Sequence, residues 1–370
     1  MSSDTNMASA EVTLGFLEEA EPWRLRSPQF PSKVGGKPAW LSQTGIPSLP
    51  ALACEICRLP MVFLLQVYAP ISGQDRSFHR TLFLFCCKTP ECYAHNDSRC
   101  MKVFRSQLHR RNEFYSFDPP PDDEPPNDPE QYQCVLPVSG VKLCWVCGCP
   151  GNKACSRCHT VTYCGKHHQT LHWKHTHKKE CCSSQVASTV TTSPFLFPES
   201  ELVTEPEEEE ERNKEDTTEA EGGEDTQRIV DCPSLADESA LLERDLEEMA
   251  MHETEDNKVF QRFKKKIAAE PHQVLRYDRG GSPLWVSSQH IPSDQDIPPC
   301  TCGARRIFEF QVMPQLLNSL CVDSTGASID WGTLVVYTCS DSCNHDDQYC
   351  PEVIWKQDFS SDLHTQSKHS

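Results

Sequence analysis

Residues 144–181 read CWVCGCPGNKACSRCHTVTYCGKHHQTLHWKHTHKKEC, and this stretch decides how the chain is built. Eight thiol or imidazole donors fall in it as four pairs: Cys144 and Cys147, Cys155 and Cys158, Cys164 and His168, His177 and Cys181. Pairs spaced this closely supply the soft donors that tetrahedral Zn²⁺ takes. A segment this short has too little apolar surface to offset its chain entropy. Structural zinc makes up such a deficit, at about 10–16 kcal/mol per site in finger peptides. The competing reading is a disulfide cluster. The opening MSSDTNMASAEV has neither the basic nor the apolar region of a secretory signal, and no apolar run is long enough to cross a bilayer. A reducing compartment is expected, where paired cysteines take metal.

The spacing resembles the MYND zinc finger, on Tyr163-Cys164, His168-Gln169, Trp173 and His177-Lys178-Lys179-Glu180-Cys181. The resemblance implies interleaved sites. Cys144, Cys147, Cys164 and His168 would hold one zinc, and Cys155, Cys158, His177 and Cys181 the other. Two departures stand out: His168 replaces a usual Cys, and Trp173 lies one residue further than usual from its His. His167, His172, His175, Cys149 and Cys182 are spare donors, expected to be solvated or packed.

The net charge of −19 is unevenly placed. Residues 199–256 hold 24 acidic and 4 basic side chains, a net of −20, while the rest is nearly neutral with 30 and 31. With few apolar residues and no period, this stretch is expected to be a disordered acidic linker, either a solvated spacer or a polyanion for a basic partner. Proline-rich DPPPDDEPP at 118–126 marks a second break.

Outside the finger, 61–68 (MVFLLQVY) and 81–85 (TLFLF) read as strands. Cys54 and Cys57 precede the first, and Cys86, Cys87 and Cys92 follow the second. Pairing of the strands would bring these ends together as a third site of Cys54, Cys57, Cys87 and Cys92, with Cys86 a strand residue facing inward. The 306–312 and 331–337 runs are also strands, flanked by Cys300, Cys302, Cys339 and Cys343, a possible fourth site. Buried free thiols are the competing reading for both sets. Cys100, Cys134, Cys232, Cys321 and Cys350 lack partners at ligand spacing. Residues 235–251 and 257–269 read as helical, the second with Val259, Phe260, Phe263 and Ile267 as its stripe, Asp256 as N-cap and Pro271 as stop.

Longer strings resemble the programmed cell death protein 2 family. They are Trp23-Arg24-Leu25, 32–41 (SKVGGKPAWL), 63–70 (FLLQVYAP), Phe78-His79-Arg80, 308–317 (FEFQVMPQLL), Ile329-Asp330-Trp331-Gly332 and Trp355-Lys356-Gln357-Asp358. The expected fold is α+β and β-rich. N- and C-terminal halves would form one zinc-stabilised β module, interrupted by the MYND finger and the acidic linker. The expected divisions are a disordered start at 1–9, an N-terminal β-rich half at 10–117, a Pro/Asp-rich linker at 118–140 and the finger at 141–182. The acidic linker at 183–233, a helical segment at 234–270, a C-terminal β-rich domain at 271–359 and a disordered tail at 360–370 follow.

The resemblance further implies a dedicated chaperone that captures a basic small-subunit ribosomal protein, often nascent, and promotes small-subunit biogenesis. It implies cytoplasm and nucleus as compartments, with no direct nucleic-acid or membrane contact. The alternative is an adaptor whose finger binds proline-rich motifs of transcriptional co-regulators, with a role in apoptosis or proliferation. Trp145, Tyr163 and Trp173 would then line its groove. An enzyme is not expected. The Gly-rich segment and Asn-His motif of MYND-containing methyltransferases are absent, and Gly35-Gly36 and Gly280-Gly281 read as turns. Closed cysteine-rich sites leave no open metal position. Zn²⁺ is the expected cofactor, two ions in the finger and one or two elsewhere.

Overall fold

A computed structural model describes residues 11–42, 44–124, 141–182, 195–208, 255–322, 328–343 and 348–359. β-branched and aromatic runs bounded by turn residues give thirteen strands in these segments. The N-terminal half supplies β1 (Thr13–Glu18), β2 (Lys33–Val34), β3 (Val62–Tyr68), β4 (His79–Cys86) and β5 (Met101–Leu108). The finger holds β6 (Lys153–Ala154) and β7 (Thr162–Tyr163), and β8 (Ser200–Pro206) follows it. The C-terminal half supplies β9 (Leu275–Tyr277), β10 (Arg306–Val312), β11 (Thr333–Cys339), β12 (Cys350–Pro351) and β13 (Val353–Gln357).

Eleven of these form one antiparallel sheet in the order β12-β5-β4-β3-β2-β8-β1-β9-β10-β11-β13, and β6 pairs with β7 alone. Only Glu352 separates β12 from β13, yet they occupy opposite ends of that order. The sheet therefore curls until its ends meet. Closure of this kind removes the exposed edges on which strands from other chains add. The helix Glu255–Ala268 buries Phe263 against Val286 and Met313, with Phe260 and Ile267 alongside. Asp256 lies in its first turn rather than ahead of it, accepting hydrogen bonds from Ser287 Oγ (2.6 Å) and Ser288 N (2.7 Å). The helix expected at 235–251 lies outside the described residues, as do the two ends, residues 1–9 and 360–370, expected to be disordered.

The expectation of a disordered linker over 183–233 fails for residues 200–206. Ser200–Pro206 is a strand, paired with β1 from Thr13↔Pro206 to Glu18↔Glu201 and with β2 at Lys33↔Glu201 and Val34↔Ser200. Leu202 supplies the burial, and cations from the body neutralise the acids around it. Lys33 pairs with Glu199, Arg24 with Glu201 at 3.0 Å, and Arg276 and Lys266 with Glu207 at 2.8 and 3.1 Å. Composition marks the stretch as solvated, but these partners reverse the cost of placing it in a sheet.

One apolar core joins the two halves, with Phe63, Phe83 and Phe85 from the first and Phe310, Trp331 and Leu334 from the second, and buried charges are set within it. Arg80 of β4 and Glu309 of β10 are both fully buried and form a two-pronged ion pair at 2.6 and 2.9 Å. Glu309 also accepts from Tyr277 (2.7 Å), Arg279 (3.1 Å) and Thr338. Arg105 of β5 binds Glu352 at 2.7 Å, and Arg306 of β10 binds the other oxygen at 2.8 Å. Burial alone would push the Glu309 carboxyl up, but the Arg80 guanidinium outweighs it and holds it near about 2.

Removing one member of a buried pair strands the other. Glu309→Leu in the metal-loaded protein is therefore expected to cost about 3–5 kcal/mol, and Arg80→Met combined with Glu309→Leu to recover most of it; denaturant midpoints measure both. The carboxylate's contribution is full above its ordinary value of 4.5 and is lost as pH falls through about 2. The stability gap between the unmodified chain and Glu309→Gln should close across that window.

Candidate metal centres

Among the described residues, four groups of four donors come together, each with its ligand atoms within 4.8 Å of one another. They are Cys54, Cys57, Cys87 and Cys92; Cys144, Cys147, Cys164 and His168; Cys155, Cys158, His177 and Cys181; and Cys300, Cys302, Cys339 and Cys343. The strand pairing assembles the first. Val62 and Cys86 are opposite each other at the ends of β3 and β4, which brings Cys57 Sγ to 3.6 Å from Cys87 Sγ. Cys86 itself is a buried strand residue, and burial pushes its thiol up. The last group forms the same way at the ends of β10 and β11, where Arg306 opposes Cys339. There Cys300 is 3.4 Å from Cys343, and Cys302 is 3.6 Å from Cys339. Four sulfurs about 2.3 Å from one zinc lie about 3.8 Å apart, so these donor sets fit the metal.

Each group is built on a closed turn, four residues from acceptor to donor in the first three and three residues at Cys300. The amide after the second cysteine of the leading pair donates to the first cysteine's carbonyl: Arg58 to Cys54 (3.0 Å), Gly148 to Cys144 (2.9 Å), His159 to Cys155 (3.0 Å) and Gly303 to Cys300 (2.8 Å). All four donors have positive φ, at 61°, 69°, 57° and 91° in that order. Pair spacing in the sequence identifies the cysteines, while the left-handed residue behind them is signalled only where it is glycine. In each group one thiol is drawn down while neighbours in the same cluster are pushed up. Thr160, whose hydroxyl is 3.0 Å from Cys158 Sγ, is the main cause drawing that thiol down to about 6. Burial pushes Cys300 up, but the Cys302 amide and the Cys343 thiol outweigh it and bring it to about 6.

In the finger, the helix Lys166–His172 places His168 Nδ1 at 3.0 Å from Cys164 Sγ and 3.6 Å from Cys144 Sγ. His168 thus stands as the fourth donor where a thiol is usual. Trp173–His177 is a single π-turn, which absorbs the extra residue between Trp173 and His177. The register after it is kept. His177 Nε2 lies 3.5 Å from Cys158 Sγ, and Cys155 and Cys181 are 3.9 Å apart. Of the spare donors, His172 is buried, bonded through Nδ1 to the Tyr163 hydroxyl (2.9 Å) and stacked between Trp145 and His177. Cys149 is buried, and Cys182, His167 and His175 are exposed. Tyr163 is fully buried, so it cannot line a surface groove, whereas Trp145 is 43% exposed. Cys100, Cys321 and Cys350 lie outside the four groups, and Cys134 and Cys232 outside the described residues.

Comparison with known proteins agrees with this layout. Residues 11–122 match the family description "Programmed cell death protein 2, N-terminal domain", 257–358 match its C-terminal counterpart, and 144–181 match "MYND finger". The chain is 49% identical to programmed cell death protein 2 of Bos taurus over 353 residues, covering 95% of this chain and 98% of that one. The chain belongs to the programmed cell death protein 2 family. The Mus musculus protein of that name is likewise 49% identical, over 355 residues covering 95% and 97%. A Schizosaccharomyces pombe relative named "Probable 20S rRNA accumulation protein 4" is 34% identical over 123 residues, 30% of each chain. No solved structure matches.

The strings that resemble the programmed cell death protein 2 family now have physical jobs. In SKVGGKPAWL, Trp40 Nε1 donates to Gly148 O (2.8 Å) and the Lys37 ammonium lies 5.5 Å over Trp145, so the finger is packed on the body. Gly36 N donates to Phe197 O (3.1 Å), and a Cβ on Gly35 would lie 1.8 Å from Pro198 O. Both glycines have φ near +65°, and their bareness lets the incoming chain approach. Gln66 of FLLQVYAP ties this loop down, accepting from Ala39 N and donating to Pro31 O, both at 2.9 Å. In the C-terminal strings, Gln357 donates to Ser287 O at 3.0 Å, and a Cβ on Gly332 would meet Val286 at 2.6 Å.

Native mass spectrometry is expected to find four zinc ions per chain, and Cys339→Ser to lose one while the finger keeps its two. A left-handed non-glycine residue costs about 1–2 kcal/mol. Gly303→Ala should cost no more than that, since nothing lies within 4 Å of its added methyl. Gly148→Ala should cost more, because its methyl would meet Lys37 Cβ at 3.0 Å. Zinc-loaded melting curves distinguish the two.

Proposed function

We propose that the chain is a non-enzymatic, zinc-stabilised chaperone that holds a basic small-subunit ribosomal protein and promotes small-subunit biogenesis, in cytoplasm and nucleus. The supporting observation is the anchoring of the acidic tract. Residues 209–254 carry 17 acidic and 4 basic side chains. They are bracketed by β8 on one side and the helix Glu255–Ala268 on the other, and Glu207 and Lys266 join the two brackets. A polyanion fixed to the body at both ends raises the local concentration of negative charge beside any surface that grips a cationic client.

Apolar grip has a candidate too. Ile56 and Leu59 are exposed on the first cysteine turn, whose Arg58 helps line a cavity of about 260 Å³ between Leu49, Leu52 and Met61 and the finger's Cys147 and Cys164. The nearly closed sheet makes strand addition a poor alternative. The fission-yeast relative is named for 20S rRNA accumulation, which points in the same direction. A finger that reads proline-rich motifs is less well supported, since Tyr163 is internal.

Affinity capture from translating cells tests the proposal. One small-subunit ribosomal protein should dominate the captured nascent chains, without dependence on RNA. Changing the acids of 209–254 to Asn and Gln should weaken capture at least tenfold at low salt and far less at high salt. A spread of nuclear co-regulators lost on Trp145→Ala would instead establish the adaptor.

A further inference from the structure

The finger touches the body at a second place, and that contact leads into the sheet. His168 Nδ1 faces the thiols of its own cluster, while its Nε2 is buried without a hydrogen-bond partner among the described residues. Its ring packs edge-on against Phe195, with centroids 4.1 Å apart at 68°. Phe195 O accepts from Lys88 Nζ at 3.1 Å, and the same ammonium lies 4.8 Å over the Phe197 ring. Lys88 adjoins Cys87, a donor of the first cluster. Two clusters therefore converge on residues 195–197. Gly36 and Lys33 then hold Phe197 and Glu199, and β8 begins at Ser200.

β8 has an unusual place in the sheet. It is hydrogen-bonded to β2 on one side and β1 on the other, so it joins the run β5-β4-β3-β2 to the run β1-β9-β10-β11. Without it the two runs meet only at the seam of β12 and β13 and through interior contacts. β2 offers β8 just two register pairs, so its own pairing there is weak. Six register pairs hold β8 to β1, so it is the seam with β2 that depends on what precedes the strand.

We propose that the finger is a metal-dependent latch on β8. The cluster of Cys144, Cys147, Cys164 and His168 fixes the imidazole of His168, that ring braces Phe195, and Phe195 keeps 195–199 seated under Gly35, Gly36 and Lys88. When the cluster is emptied the imidazole is no longer fixed, β8 loosens on its β2 side, and the sheet opens between β2 and β8. The finger's metal state thereby sets whether the body is closed.

Hydrogen exchange read by mass spectrometry on the full zinc-loaded chain tests this. Phe195→Ala keeps every cluster donor. It should leave the zinc count unchanged, speed exchange in β8 at least tenfold, and leave β3, β4, β10 and β11 as protected as before. His168→Ala should lose one zinc and speed β8 by at least as much. Cys302→Ser, at the far cluster, should lose one zinc with β8 still protected. The latch is overturned if Phe195→Ala leaves β8 protected, if it speeds the whole sheet equally, or if Cys302→Ser loosens β8 as much as His168→Ala does. Should His168→Ala fail to fold, Cys147→Ser empties the same cluster with the ring kept; it should lose one zinc and speed β8 as much, and a protected β8 there overturns the latch.

Discussion

The fully buried pair of Arg80 and Glu309 sets the terms for the rest of the molecule. One charge comes from the N-terminal half and the other from the C-terminal half, 229 residues apart in sequence. Either half alone would carry an unmatched ion in its interior, at a cost of several kcal/mol. The Arg105–Glu352 pair imposes the same demand a second time. Both halves must therefore close on each other before either is stable, whatever the chain inserts between them. That requirement explains why a finger and an acidic tract can interrupt the module without splitting it into two domains.

Within an otherwise apolar core, Arg80, Arg105, Gln66, Gln311 and Lys356 occupy places that aliphatic side chains would fill elsewhere, and each gives up some hydrophobic driving force. The four donor groups lie where that loss would matter. Two of them pin the ends of the strands that carry the charges, β4 by way of Cys87 and β10 with β11 by way of Cys300, Cys302 and Cys339. Metal binding fixes the ends of hairpins whose middles are packed on polar groups. The left-handed residues Arg58 and His159 show that the chain accepts local strain to make these turns.

Local chemistry was legible in the sequence, and long-range chemistry was not. Donor pairs two to four residues apart, and apolar runs such as 61–68, carry their signal in adjacent residues. The strand β5 was missed because its alternation is not apolar against polar: Arg105, Ser106 and Gln107 are all buried, with Arg105 and Gln107 spent on interior hydrogen bonds. β8 was missed for a related reason. Its acids are matched by Lys33, Arg24 and Arg276, which lie 69 to 177 residues away. The extra residue before His177 was visible as a departure, but only the backbone shows that a π-turn absorbs it.

The tract of negative charge is thus part of the fold at its first residues. Glu199, Glu201 and Glu207 are used to bind the body, and the acids beyond them are what remains for a partner. A cationic client that competed for Glu199 or Glu207 would pull against Lys33 and Arg276, both nearly buried, and so against the seating of β8. In the proposed chaperone, charge on the client and order in the sheet would be coupled through the same carboxylates.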